Sequence, residues 1–126
     1  MIDYRDTHDV DLDQLERLTK TAGWNRGKAT LALQVEGARW VASAWDGPRL
    51  VGFARAISDG VTNAYVSTVV VDPELRGYGI GRELIRRLMA GRDGITFVLH
   101  ARPEVTEFYV KCGYSPAENM MRRARR

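Results

Sequence analysis

Arg76-Gly77-Tyr78-Gly79-Ile80-Gly81-Arg82 sets glycines at every second position between two arginines. Val69-Val70-Val71, an apolar β-branched run, enters it through Asp72-Pro73, and an amphipathic helical pattern leaves it. A strand, a backbone-lined loop and a helix N-terminus in series aim several N–H groups and the positive end of a helix dipole at one point. That arrangement suits a phosphate or pyrophosphate. Glycines let the backbone approach such a ligand with no Cβ in the way. Two common phosphate loops do not match. A Walker A loop closes on Gly-Lys-Ser/Thr, and here Gly81 is followed by Arg82-Glu83. A dinucleotide fingerprint needs G-x-G-x-x-G within repeated βαβ units. The spacing here is G-x-G-x-G, it follows an antiparallel meander, and the chain is too short for two mononucleotide halves.

Other reactive side chains are sparse. Cys112 is the single cysteine, and His8 and His100 are the only histidines. This excludes an internal disulfide framework and a cysteine metal cluster, and no metal site is expected. Tyr109 falls on the apolar face of a helical pattern, where periodicity alone reads it as a core aromatic. Asp59 stands before Gly60, and the pair reads as a turn; Asn63 follows closely.

The elements that must position these residues are legible in outline. Ile2–Arg5 reads as a first strand. Asp11 caps a helix with Gln14 as its partner three residues on; Leu12, Leu15, Leu18 and Ala22 form its stripe, and Gly23 stops it. A weaker helical pattern covers Lys28–Glu36. Strands follow at Trp40–Trp45, Leu50–Ile57 and Ala64–Val71, separated by Asp46-Gly47 and Asp59-Gly60 turns. Strict alternation allows at most one of Trp40 and Trp45 to face the core. Ile80, Leu84, Ile85 and Leu88 make one face of the helix after the glycine loop, and Asp93-Gly94 breaks it. Ile95–His100 reads as a buried strand, parallel to its predecessor because a helix joins them. Pro103 opens a last helix with Val105, Phe108, Tyr109 and Cys112 on one face, ended by Gly113. Tyr114–Arg126 has room for one or two short strands. The expected fold is α+β: a three-layer α/β/α sandwich on a mixed, mostly antiparallel sheet with one parallel βαβ unit, in a single domain over residues 1–126.

Length and composition agree. The chain has 126 residues, 44% of them hydrophobic, enough for one modest core. No apolar run reaches the ~20 residues of a membrane helix, and no signal-peptide core follows Met1. A cytoplasmic location is expected. The net charge of +3 is mild, and the arginines of Arg122–Arg126 read as a solvated end more readily than as a nucleic-acid contact.

Several segments together resemble the GCN5-related N-acetyltransferase (GNAT) family, of the small single-domain bacterial type. Arg76–Gly81 has the form R/Q-x-x-G-x-G/A, and Val71-Asp72-Pro73 precedes it as in that family. Phe108-Tyr109-Val110-Lys111-Cys112-Gly113-Tyr114 resembles a Phe-Tyr-x-x-x-Gly-Phe/Tyr helix end, and Leu50–Phe53 resembles the third strand. Asp59, Asn63 and Phe108–Tyr114 are also similar to the plastid-type serotonin N-acetyltransferase branch.

The resemblance implies acetyl-coenzyme A as co-substrate, held by Val69, Val70, Val71, Arg76, Gly77, Tyr78, Gly79, Ile80, Gly81 and Arg82. It implies direct transfer in a ternary complex, with Tyr109 protonating the departing thiolate. The family's usual base positions hold Tyr65 and Ser67 here, which leaves two readings: a water chain ordered by Tyr65, Ser67 and Asp59 carries the proton, or the acceptor is a weakly basic amine that needs little help. Trp24, Asn63 and His100 are the candidate acceptor contacts. A primary amine is implied: a small amine, polyamine or arylalkylamine rather than a protein lysine, since only Asp59, Glu36 and Asp46 add negative charge near the acceptor loops. The family often forms homodimers. The alternative is a non-catalytic acyl-coenzyme A sensor or partner subunit on the same fold.

Overall fold

The computed structural model describes residues 1–126. Its sheet is built outward from a meander of β2 (Trp40–Asp46), β3 (Arg49–Ser58) and β4 (Asn63–Val71). β1 (Asp3–Arg5) pairs antiparallel with β2, and β5 (Thr96–Leu99) pairs parallel with β4, so the order is β1-β2-β3-β4-β5. The parallel pair needs a crossover, and α3 (Ile80–Met89) supplies it. α1 (Leu12–Lys20) and α2 (Lys28–Gly37) cover the opposite face, while α4 (Thr106–Lys111) follows β5. No helix is long and apolar enough to cross a membrane.

Each face of the sheet has its own core. Leu15, Leu18, Leu31 and Val35 of α1 and α2 pack with Val41, Trp45, Phe53 and Val70. Ile80, Leu84, Ile85 and Leu88 of α3 pack with Ala42, Ala54 and Val66, and each is buried to 3% exposure or less. Burying one such side chain contributes about 1.5–3 kcal/mol. The architecture is the expected three-layer sandwich with one βαβ unit.

Several local expectations need correction. Trp40 and Trp45 do lie on opposite faces, but both faces are covered, so Trp45 is buried and Trp40 packs partly into the α3 side. Asp11 accepts the Gln14 N–H at 3.0 Å, yet Gln14 does not return the bond. Its Oε1 accepts the Leu50 N–H at 3.1 Å and ties α1 to β3. α3 ends at Met89, before the left-handed Gly91 (φ 73°), short of Asp93-Gly94. β5 is a half-buried edge, not a buried strand. Pro103 opens a 3-10 turn (Pro103–Val105) ahead of α4, leaving Val105 exposed. Tyr114–Arg126 forms no strand. That segment carries no β-branched residue and a run of like charges, and both oppose pairing along an edge.

Candidate acyl-coenzyme A and acceptor site

β4 outlasts its neighbour. Val66↔Leu99 is the last pair between β4 and β5, yet β4 continues to Val71. Ser67–Val71 therefore has β3 on one side and no strand on the other, leaving backbone groups free along that edge.

A bulge lies where this edge opens. Arg55 opposes Thr68 and Ala56 opposes Val66, so Ser67 is an extra residue. The extra residue resets the alternation of side chains. Val66 and Val69, three apart, both pack on the α3 side, whereas Val70 packs on the α1/α2 side.

The edge runs directly into the glycine loop. Asp72 pins the junction: its N–H donates to Val51 O at 2.8 Å, its Oδ2 accepts from Arg49 Nη2 at 2.9 Å and its Oδ1 from the Glu74 N–H at 3.0 Å. A 3-10 turn (Pro73–Leu75) leads to Arg76. Gly77 and Gly79 take φ of 88° and 82°, and a Cβ on either would meet nothing within 4 Å. Gly79 begins α3 with no side-chain cap, so the first N–H groups of the helix have no partner from the loop. Ile80 is buried and anchors the turn, while Arg76, Tyr78 and Arg82 are exposed around it. Open space, left-handed glycines and orphan donors fit a pyrophosphate.

α4 brings up Tyr109. Its ring stands edge-on to Phe108 at 5.0 Å and to Tyr114 at 5.9 Å, and burial pushes its phenol above the ordinary value, with Cys112 adding to the effect. Tyr109, Tyr65 and His100 line one cavity of about 860 Å3 along β5, together with Met120, Met121 and Arg122 of the C-terminal segment.

Not all the sequence candidates meet here. Asp59 sits in the β3–β4 turn, where its Oδ1 accepts the N–H groups of Val61 at 2.7 Å and Thr62 at 3.0 Å. These bonds hold its carboxyl below the ordinary value. Asn63 opens β4 beside it and donates to Thr62 Oγ1. Val69 lies six residues further on, ~20 Å along an extended strand. Asp59 and Asn63 thus belong to the far end of β4, away from Val69 and the glycine turn. Trp24 packs partly against the α1/α2 core, and the Arg26 guanidinium lies 4.8 Å over its ring.

The arginines near the bulge were not among the sequence candidates. Arg55 Nε donates to Thr68 Oγ1 at 3.0 Å and its Nη2 to Ser67 Oγ at 3.0 Å. Arg26 Nη1 reaches the same Thr68 oxygen at 3.3 Å. The one trace of this in the sequence is a charge interrupting the apolar strand Leu50–Ile57.

Residues 8–114 match the family model described as the acetyltransferase (GNAT) family. Over 117 residues the chain is 34% identical to the uncharacterized N-acetyltransferase ycf52 of Porphyra purpurea, covering 86% of this chain and 67% of that one. It is 44% identical over 70 residues to the chloroplastic serotonin N-acetyltransferase 2 of Oryza sativa subsp. japonica, covering 53% of this chain and 35% of that one. It spans no more than about two-thirds of the length of these two relatives. A solved GNAT-family acetyltransferase of Streptococcus pneumoniae TIGR4 superposes with a TM-score of 0.82 over 100% of both chains, and at 21% identity that likeness is one of fold. A strand that opens into an uncapped glycine turn, carried on this sheet, defines an acyl-coenzyme A N-acyltransferase-like fold. The chain belongs to the GNAT family of acetyltransferases.

Proposed function

We propose that this protein transfers an acetyl group from acetyl-coenzyme A to a small primary amine, both bound at once. The observation that carries this reading is the continuity of the free β4 edge, Ser67–Val71, with the uncapped glycine turn Arg76–Gly81. Acetyl-coenzyme A supplies an activated acyl group when bound. The loop N–H groups would hold its pyrophosphate, with Arg76 and Arg82 beside it. The free backbone of Val69–Val71 would align its amide-bearing arm, and an N–H near Val69 would meet charge developing on the thioester oxygen. Such a donor is worth about 3 kcal/mol in the transition state. The Tyr109 hydroxyl would give its proton to the departing sulfur; a phenol is protonated at neutral pH, and burial raises its value further. Tyr65 and Ser67 would border the route by which the amine loses its own proton to solvent.

The test is thiol release from acetyl-coenzyme A across an amine panel, run with Gly79→Trp and Tyr109→Phe. Amine-dependent release that falls in both variants supports the transferase. No release on any amine, with coenzyme A binding lost only in Gly79→Trp, supports the non-catalytic binding module instead.

A further inference from the structure

Arg55 is 6% exposed, yet its guanidinium meets only hydroxyls, those of Thr68 and Ser67. Arg26, half-buried, adds a second guanidinium on the same Thr68 oxygen. The ion pairs of the protein involve Arg5, Arg17, Lys28, Arg49, Arg86, Arg87 and Lys111, and neither of these arginines. Buried arginines are normally matched by carboxylates, because a desolvated charge is costly without a counter-charge. Here two like charges share one small neutral acceptor. Burial pushes both below the ordinary arginine value, and each is pushed further by a neighbouring arginine: Arg55 by Arg26, and Arg26 by Arg125.

The surroundings add no negative charge. Arg26 is stacked on Trp24. α2 begins directly after it with Gly27 as a bare N-cap and no acidic residue in the first turn, an end that itself favours an anion. The phenol of Tyr65 stands near Arg55. The site also has a definite place. Ser67 and Thr68 are the bulge residues, one or two positions before Val69, or ~3–7 Å along the strand.

We propose that Arg26 and Arg55 form an anion subsite for the acceptor, so that the amine acetylated here carries a carboxylate or a phosphate a few bonds from its nitrogen. This rests on the transferase reading and narrows it, turning the acceptor away from polyamines and simple arylalkylamines. Arginine suits either anion because its planar fork pairs with two oxygens at once.

The experiment compares matched pairs differing only in the anion: tryptophan with tryptamine, β-alanine with ethylamine, 2-aminoethyl phosphate with ethanolamine. The carboxylate and phosphate pairs separate the two sources of charge. The expected result is at least a tenfold higher kcat/KM for the anionic member of one class. That ratio should collapse at least tenfold in Arg26→Met and in Thr68→Asp, which places a carboxylate of the protein's own between the arginines. Arg55→Lys serves as a milder probe of the buried member. In parallel, calorimetric titration of each acid into the coenzyme A-loaded protein reads binding without turnover, and Arg26→Met should weaken it tenfold. Neutral amines used as well as their acids, with ratios unmoved by Arg26→Met, would overturn the subsite and leave the transferase standing. Anion binding that needs Arg26, with no acetylation of any amine, would leave the subsite standing and overturn the transferase. No binding of any acid and no turnover would overturn both.

Discussion

A Cβ built on Gly52 would stand 2.9 Å from Cγ2 of Ile80 and 3.0 Å from Cδ1 of Leu84. The start of α3 therefore rests on bare backbone of β3, and the glycine turn inherits its position from that contact. Gly52→Ala is expected to cost about 1–3 kcal/mol by overpacking, read as a lower urea midpoint. Because Ile80 directly follows the turn, coenzyme A affinity should fall with it. Gly79→Ala meets open space but must hold φ near 82°. Its stability loss should be about 1–2 kcal/mol, from left-handed backbone strain alone.

Asp72 links the same turn to acid stability. Its side chain is 5% exposed, and the hydrogen bond from Arg49 holds its carboxyl below the ordinary value. A depressed folded-state pKa stabilises fully above the unfolded value of ~3.9, and that contribution is lost as pH falls through the lower folded value. Wild-type stability should therefore drop on acidification below about pH 4 more steeply than that of Asp72→Asn. At neutral pH, Asp72→Ala should cost about 1.5–3 kcal/mol. Urea titrations at pH 3 and pH 7 measure both effects.

Tyr109 and Tyr114 touch edge to face but predict opposite outcomes. In the role proposed for it, Tyr109→Phe should lower kcat about a hundredfold with little change in coenzyme A affinity, since that change removes the hydroxyl and leaves the ring. Its raised pKa means that the wild-type rate loses the protonated phenol only above about pH 10. A pH–rate profile checks this.

The Tyr114 hydroxyl is buried with no hydrogen-bond partner, and burial pushes its pKa up to about 12. Tyr114→Phe should stabilise the protein by about 1 kcal/mol. The raised value also sets a sign. Stability is untouched by this group's titration below the unfolded pKa of ~10 and falls as pH rises from there toward 12, because only the unfolded phenol ionises in that window. Thermal melts between pH 9 and 11 should show that alkaline loss in the wild type and less of it in Tyr114→Phe.

The local order of the chain was written in side-chain periodicity and turn residues. Ile80, Leu84, Ile85 and Leu88 announce α3, Gly47 and Gly60 announce the hairpins, and the alternate glycines of Gly77–Gly81 announce a backbone-lined turn, because each signal depends on neighbours within a few residues. The acceptor side was not legible in this way. Asp59 and Asn63 read as candidates by residue type, and strand length alone carries Asn63 ~13 Å from the bulge and ~20 Å from Val69, with Asp59 in the turn beyond it. Arg26, Arg55 and Thr68 come from the α1–α2 connection, β3 and β4, and no sequence spacing joins them. Their meeting depends on the extra residue at Ser67, a register shift between β3 and β4 that resets which side chains face α1 and α2. The same pairing decides that β5 stops at Leu99 while β4 runs on to Val71. The sequence by itself determined the helices and strands from β1 to β5 in outline and the backbone-lined glycine turn, since those follow from local propensity. Only the tertiary structure decided the open strand edge and the paired arginines, since these depend on which strands pair and where the pairing ends.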